Sequence, residues 1–111
     1  MATIMADGIP EGLAIEIVWA VEAVYGPDAA MRRAPVRHEH LERIGRLIDQ
    51  GVVLEAGGFV DMSGSLFVVR ARDEEEAVAI LQDDVYTRTG VWTSFRARAL
   101  GRVVKDGAAP V

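Results

Sequence analysis

Two histidines, His38 and His40, stand one residue apart in RHEHLERI (37–44), and they are the only imidazoles in the chain. Histidine changes charge near neutral pH, so each is a candidate general acid or base, and an H-x-H pair is also a candidate metal site. Carboxylates that would orient or oppose them gather in two places, DEEE at 73–76 and the pair Asp83 and Asp84. The chain has no cysteine, which excludes disulfides, thiolate metal sites and cysteine nucleophiles. Which of these groups work together depends on the elements that carry them.

A chain of 111 residues holds one core and is too short for two. The formal net charge of −5 and the lack of any Lys/Arg cluster argue against nucleic acid as a partner. The longest apolar run, IVWAV at 17–21, is too short to span a bilayer. The opening MATIMADGIPEG has neither a basic segment nor a long apolar one and does not read as a signal peptide, so a cytoplasmic protein is expected.

Six periodic segments lie between tails expected to fray at 1–13 and 105–111, leaving a single domain over 14–104. Residues 14–25 alternate, with Ile15, Ile17, Trp19 and Val21 on one face and Glu16 and Glu22 on the other, which predicts a strand. Apolar residues recur at helical spacing from Pro35 to Gln50, and Gly51 is placed to end that helix. The run 28–34 is left between a loop and a single helical turn. Strands are predicted at 52–59, 65–72 and 91–104, and a helix at 73–84. The order is β-α-β-β-α-β, an α+β ferredoxin-like split βαβ with a four-stranded antiparallel sheet and two helices on one face. The other face keeps Val18, Ala20 and Val24 beside Glu16 and Glu22. A half-apolar face of this kind predicts a homodimer through the sheets.

Successive helix residues turn by about 100°. With Ile44 at the centre of the buried stripe, His40 lies about 40° from it and Arg37 about 20°, whereas His38 falls about 120° away beside Glu42. The two imidazoles project about 160° apart and do not share a metal on a regular helix, so no metal and no cofactor are expected. His38 is read as a surface residue. His40 shares the core-facing stripe with Arg37, and a cation beside an imidazole on such a face calls for an anionic partner.

Among the carboxylates, DEEE reads as helix stabilisation: Asp73 caps the helix, and acidic residues favour its first turn. Asp83 and Asp84 are expected in the last turn, where the helix dipole disfavours anions, so a nearby Arg37 or protonated His40 would explain them. Glu16, Glu22, Glu55, Arg70, Arg96 and Arg98 are read as a charged cross-strand face rather than a site.

With Arg37, His40 and Asp84 singled out, the sequence from about residue 15 to 104 resembles the YciI-like family of small dimeric α+β-barrel proteins. The likeness rests on RHEHLERI, GVVLEAGG, GSL at 64–66 and DVYTRTGV at 84–91, the last resembling the family's D-P-Y-x-x-x-G-V. Val85 replaces the proline of that motif, and Gly58 stands where the family usually has a proline. The resemblance implies a His40–Asp84 pair in a cleft, used for acid–base work, and at least one relative is a dehydrochlorinase of a chlorinated hydroxyquinol.

These readings converge on a small enzyme that catalyses proton transfer, elimination or isomerisation on a polar cyclic or aromatic metabolite. His40 is the expected general acid or base, Asp84 fixes its tautomer, and Arg37 holds a carboxylate or developing oxyanion. Ser65, Tyr86 and Trp92 are expected to line the pocket, with core packing an equal account of Trp92. The alternative is a non-catalytic small-molecule-binding or accessory protein that keeps the same cleft.

Overall fold

The computed structural model describes the backbone of residues 2–4 and, in full, residues 8–105. Strand β2 (Leu13–Tyr25) is central, pairing with β4 (Gly64–Val69) on one edge and with β5 (Trp92–Lys105) on the other, while β3 (Val53–Gly58) pairs with β4. All four run antiparallel in the order β3-β4-β2-β5, the ferredoxin-like arrangement expected from the sequence.

A fifth strand was not expected. β1 (Ala2–Ile4) pairs antiparallel with Ile15–Ile17 of β2, within the stretch read as a tail. Its place follows from the neighbouring ladder: β4 covers only Trp19–Val24 on that edge, so the backbone groups of residues 15–17 remain available for pairing. Ordered strand also extends one residue past each expected domain end, with Leu13 paired to Lys105. The rest of the expected tails, residues 1, 5–7 and 106–111, lies outside the described residues.

The helical segments are α1 (Ala29–Arg33), a 3-10 turn over Ala34–Val36, α2 (Arg37–Asp49), α3 (Glu74–Gln82) and the short α4 (Val85–Arg88). The ambiguous run before Pro35 is therefore helical, and Pro35 opens the 3-10 turn, where a missing N–H costs nothing. α2 stops at Gly51, whose φ of +74° is the left-handed conformation that glycine adopts without strain. The amides of Gly51 and Val52 close back onto the carbonyls of Ile48 and Leu47. At the other end of the molecule, Asp73 caps α3 by accepting the amide of Glu76 at 2.8 Å, as the DEEE reading requires.

Trp19, Val21, Ala23, Phe67 and Val69 project from the sheet into the core, where α2 packs over β3 and α3 over β2 and β5. The opposite sheet face carries the charged ladder. Arg70 and Arg102 both bond the buried Glu16, at 2.7 and 3.0 Å, and Arg98 bonds Glu22 at 3.1 Å. Gly64, the glycine of GSL, is needed for the approach of β4 to β2, since a Cβ there would lie 2.2 Å from the carbonyl oxygen of Ala23. No helix among the described residues is long and apolar enough to cross a membrane.

Candidate active site

The helical phase separates the two histidines. His38 is exposed, its Nε2 3.0 Å from Glu42 one turn along, while His40 is buried at 6 % exposure on the core side of α2. Among the described residues, no three His, Asp or Glu side chains converge as a metal site would require.

His40 meets Asp84. Its Nδ1 lies 2.8 Å from Oδ1 of the carboxylate, which is fully buried. The same Oδ1 accepts the amide of Tyr86 at 2.9 Å, and Oδ2 accepts Nη1 of Arg43 at 2.9 Å. Arg43 also bonds the Ile80 carbonyl at 2.7 Å, at the end of α3, so one guanidinium ties that helix to the carboxylate. Burial raises the proton affinity of Asp84. The hydrogen bonds from His40 and Tyr86, the nearby His40 charge and Arg43 outweigh it, and the pKa ends below the ordinary carboxylate range. Asp84 is therefore an anion at neutral pH.

The position of Asp84 corrects the expectation of a helix C-terminus. α3 ends at Gln82, and Asp84 is the N-cap of α4, with extended backbone (φ −83°, ψ 150°) and its side chain on the second amide of the new helix. The dipole there favours the carboxylate instead of opposing it. The sequence reading continued α3 through 83–84 because the acidic pair followed without a breaker; the start signal was Asp84 itself, followed by the turn of α4 and Gly90.

Packing fixes the imidazole plane. The Tyr86 ring stacks on it at 3.7 Å between centroids with 12° between planes, and Trp92 meets it edge-on at 5.3 Å. With Nδ1 directed at a carboxylate, the ring donates from Nδ1 and leaves Nε2 as the free nitrogen. Nε2 has no partner among the described residues, yet no nitrogen or oxygen there is both buried and unpartnered, so this atom reaches solvent. Its route is a cavity of ≈ 490 Å³ between α2, the 3-10 turn and the β3–β4 hairpin, a size suited to one small molecule.

Arg37, His40, Ser65 and Tyr86 all line that cavity. Trp92 does not. It is 2 % exposed, and its indole stands behind the wall, donating to Ser65 Oγ at 3.2 Å. Its large ring takes the core position between Phe67 and Phe95, so packing, the equal account for this residue, is the one that holds. Leu41 and Ile48, expected in the buried stripe, are about half exposed and form an apolar rim with Phe59 and Met62. Burial pushes the Tyr86 hydroxyl pKa up, Tyr25 and Asp84 reinforcing and Arg33 and Arg37 opposing, so it remains a neutral phenol.

Three residues of the site escaped the sequence reading. Arg43 follows His40 by three positions, which puts the two side by side on a helix surface. Tyr25 ends β2 on the face of Trp19, Val21 and Ala23. Arg33 stands one turn before Arg37 and was hidden by the uncertainty over 28–34. Its Nη1 lies 3.3 Å from the Tyr25 hydroxyl.

A ferredoxin-like domain with a His–Asp pair opening on a lateral cavity places the molecule among small α+β proteins that bind a single compact ligand. The chain belongs to the YCII-related family, whose domain matches residues 17–99. Among solved structures it is similar to 5-chloro-2-hydroxyhydroquinone dehydrochlorinase from Burkholderia phenoliruptrix, a complex with 2,5-dihydroxybenzoquinone, at 17% identity and a TM-score of 0.60 over 73% of this chain and 90% of that one. At this identity the likeness concerns the fold. A search of curated proteins found no match.

Proposed function

We propose that the cavity is the active site of a small acid–base enzyme catalysing proton transfer, elimination or isomerisation on a polar cyclic or aromatic metabolite. The observation that carries this reading is the polarity of one ring: His40 spends Nδ1 on buried Asp84 and turns Nε2 to solvent. In that role Nε2 takes a proton from the substrate, and Asp84 stabilises the imidazolium that results. Arg37 holds the oxygen on which negative charge develops. In an elimination the electrons of the broken bond expel the leaving group as an anion, and the proton stays on His40 until solvent removes it. The structural neighbour that releases chloride from a hydroxyhydroquinone makes that chemistry the first to test.

The test is a panel of hydroxylated and chlorinated benzenes and quinones, followed by chloride release and by exchange of ring hydrogens with deuterated solvent. Wild type is expected to turn over or exchange at least one member, and His40→Asn to be slower by about 100-fold or more with binding retained. Equal rates for the two proteins would overturn the role of His40.

The same reading includes a homodimer formed through the open sheet face. Val18, Ala20, Leu66 and Leu100 provide apolar surface there, and the Glu16–Arg70–Arg102 and Glu22–Arg98 groups provide paired charge. Sedimentation velocity at micromolar concentration tests it, and a stable monomer would remove the sheet-to-sheet assembly.

A further inference from the structure

One row of polar groups in the cavity wall has no part in the His40 chemistry. The indole Nε1 of Trp92 lies 3.2 Å from Ser65 Oγ, Ser65 Oγ 3.4 Å from the Tyr25 hydroxyl, and Arg33 Nη1 3.3 Å from that same hydroxyl. Its protons can be counted. An indole N–H and a guanidinium only donate. Both ends of the row are thus donors, and the middle holds two hydroxyls with two protons and a single contact between them. That contact absorbs one proton. The other has no acceptor in the row, and neither hydroxyl donates to any other group among the described residues. With Ser65 donating to Tyr25, the unspent proton belongs to Tyr25, whose oxygen accepts from both Ser65 and Arg33. A phenol that accepts two hydrogen bonds is polarised as a donor. Tyr25 and Ser65 both line the cavity, so the proton is offered there.

Charge supplies a second, independent indication. The whole chain carries −5, yet the cavity lining contains Arg33 and Arg37 and no aspartate or glutamate. Tyr25, Arg33 and Arg37 all act electrostatically on Tyr86, which sets them around the ring that stacks on His40. Across the cavity the wall is apolar, with Leu41, Ile48 and Phe59.

We propose that Tyr25 is a specificity-determining donor which, with Arg37, receives an ionised oxygen of a planar ring substrate: a phenolate, an enolate or a carboxylate. The ring lies against the apolar wall, and its reacting atom faces His40. This deepens the acid–base reading and rests on it. Neutral rings of the same size lose the Tyr25 and Arg37 contacts and leave two donors unanswered in a closed site, which is how the cavity rejects them.

Calorimetric titration of the full chain with two probes tests this, using 2,5-dihydroxybenzoquinone, ionised at neutral pH, and its neutral dimethyl ether. Wild type is expected to prefer the acidic probe. Tyr25→Phe keeps the ring and removes the donor, and is expected to cut that preference by about 10- to 100-fold, the worth of a hydrogen bond to a charged group. A melting curve establishes that the variant is folded; should it not fold, Arg33→Met, at a half-buried helix position, removes one of the two polarising donors and is read by the same ratio. A preference retained in full by the folded variant overturns the role of Tyr25 and leaves the His40 reading standing. Wild type that binds neither probe, or both equally, overturns the proposed oxyanion subsite; failure to bind either also removes the ring-substrate reading beneath it.

Discussion

Oδ1 of Asp84 accepts Nδ1 of His40 at 2.8 Å and, with the same lone-pair-rich atom, the amide of Tyr86 at 2.9 Å. One oxygen therefore starts α4 and sets the imidazole, and the stacking of Tyr86 on His40 follows from that shared anchor. Stability and tautomer control are tied to one residue, and substitutions separate them. Asp84→Asn keeps a good N-cap and a hydrogen-bonding oxygen but removes the charge, and is expected to cost about 1–3 kcal/mol. Asp84→Ala leaves His40 and Arg43 without their buried partner and is expected to cost about 3–5 kcal/mol. Urea denaturation measures both. If Asp84→Ala loses no more than Asp84→Asn, the capping and pairing roles have been misassigned.

The same carboxylate gives the fold an acid sensitivity whose sign is fixed. The pKa of Asp84 is lowered in the folded chain, so its contribution to stability is complete above the unfolded value of about 3.9 and is lost as pH falls through the folded value. Glu16, held by Arg70 and Arg102 against the opposing effect of burial, is lowered too and acts in the same direction. Stability of wild type is expected to fall steeply below about pH 4. Asp84→Asn, already weaker at neutral pH, is expected to fall less steeply over that window, because it has no such charge to lose. Parallel curves for the two proteins would show that Asp84 is not the titrating group.

His38→Ala is expected to be close to silent, within about 0.5 kcal/mol of wild type. The side chain is 90% exposed, and its contact with Glu42 is a one-turn surface pair. Thermal denaturation measures this, and a loss of several kcal/mol would contradict the helical phase that separates the two histidines.

The architecture was legible because period-2 and period-3.6 patterns dominate the strands and helices, and because Gly51 and Asp73 are unambiguous end signals. The phase of α2 followed from the same arithmetic and set His40 inward and His38 outward. What escaped was whatever depends on neighbours distant in sequence. β1 pairs because β4 leaves residues 15–17 of β2 open, a fact of the assembled sheet and not of its own three residues. Arg43 looks like an ordinary surface arginine until α3 and Asp84 arrive beside it, separated from it by 41 positions. The half-exposed Leu41 and Ile48 illustrate the same limit in reverse: the helix supplies an apolar stripe, but the β3–β4 hairpin decides how much of it becomes core and how much becomes cavity rim.

Val85 stands where the DVYTRTGV motif departs from the proline of D-P-Y, and the structure says what that departure costs. Val85 is the first residue of α4, and its N–H makes no hydrogen bond among the described residues. Proline is favoured at such a position, since the missing donor would be idle there. The residue before a proline must be extended, and Asp84 already is, at ψ 150°. The Val85 carbonyl, which accepts the amide of Thr89 at 3.0 Å, is unaffected by the change. Val85→Pro is therefore expected to fold with stability unchanged or raised by up to about 1 kcal/mol, through a less flexible unfolded chain. Thr87→Pro, two residues on, deletes a donor that bonds the Asp84 carbonyl at 3.0 Å and is expected to cost about 3 kcal/mol or more. Melting temperatures of the two variants give the comparison. If Val85→Pro is as damaging as Thr87→Pro, α4 does not begin at Val85, and the cap that holds Asp84 against His40 has to be redrawn.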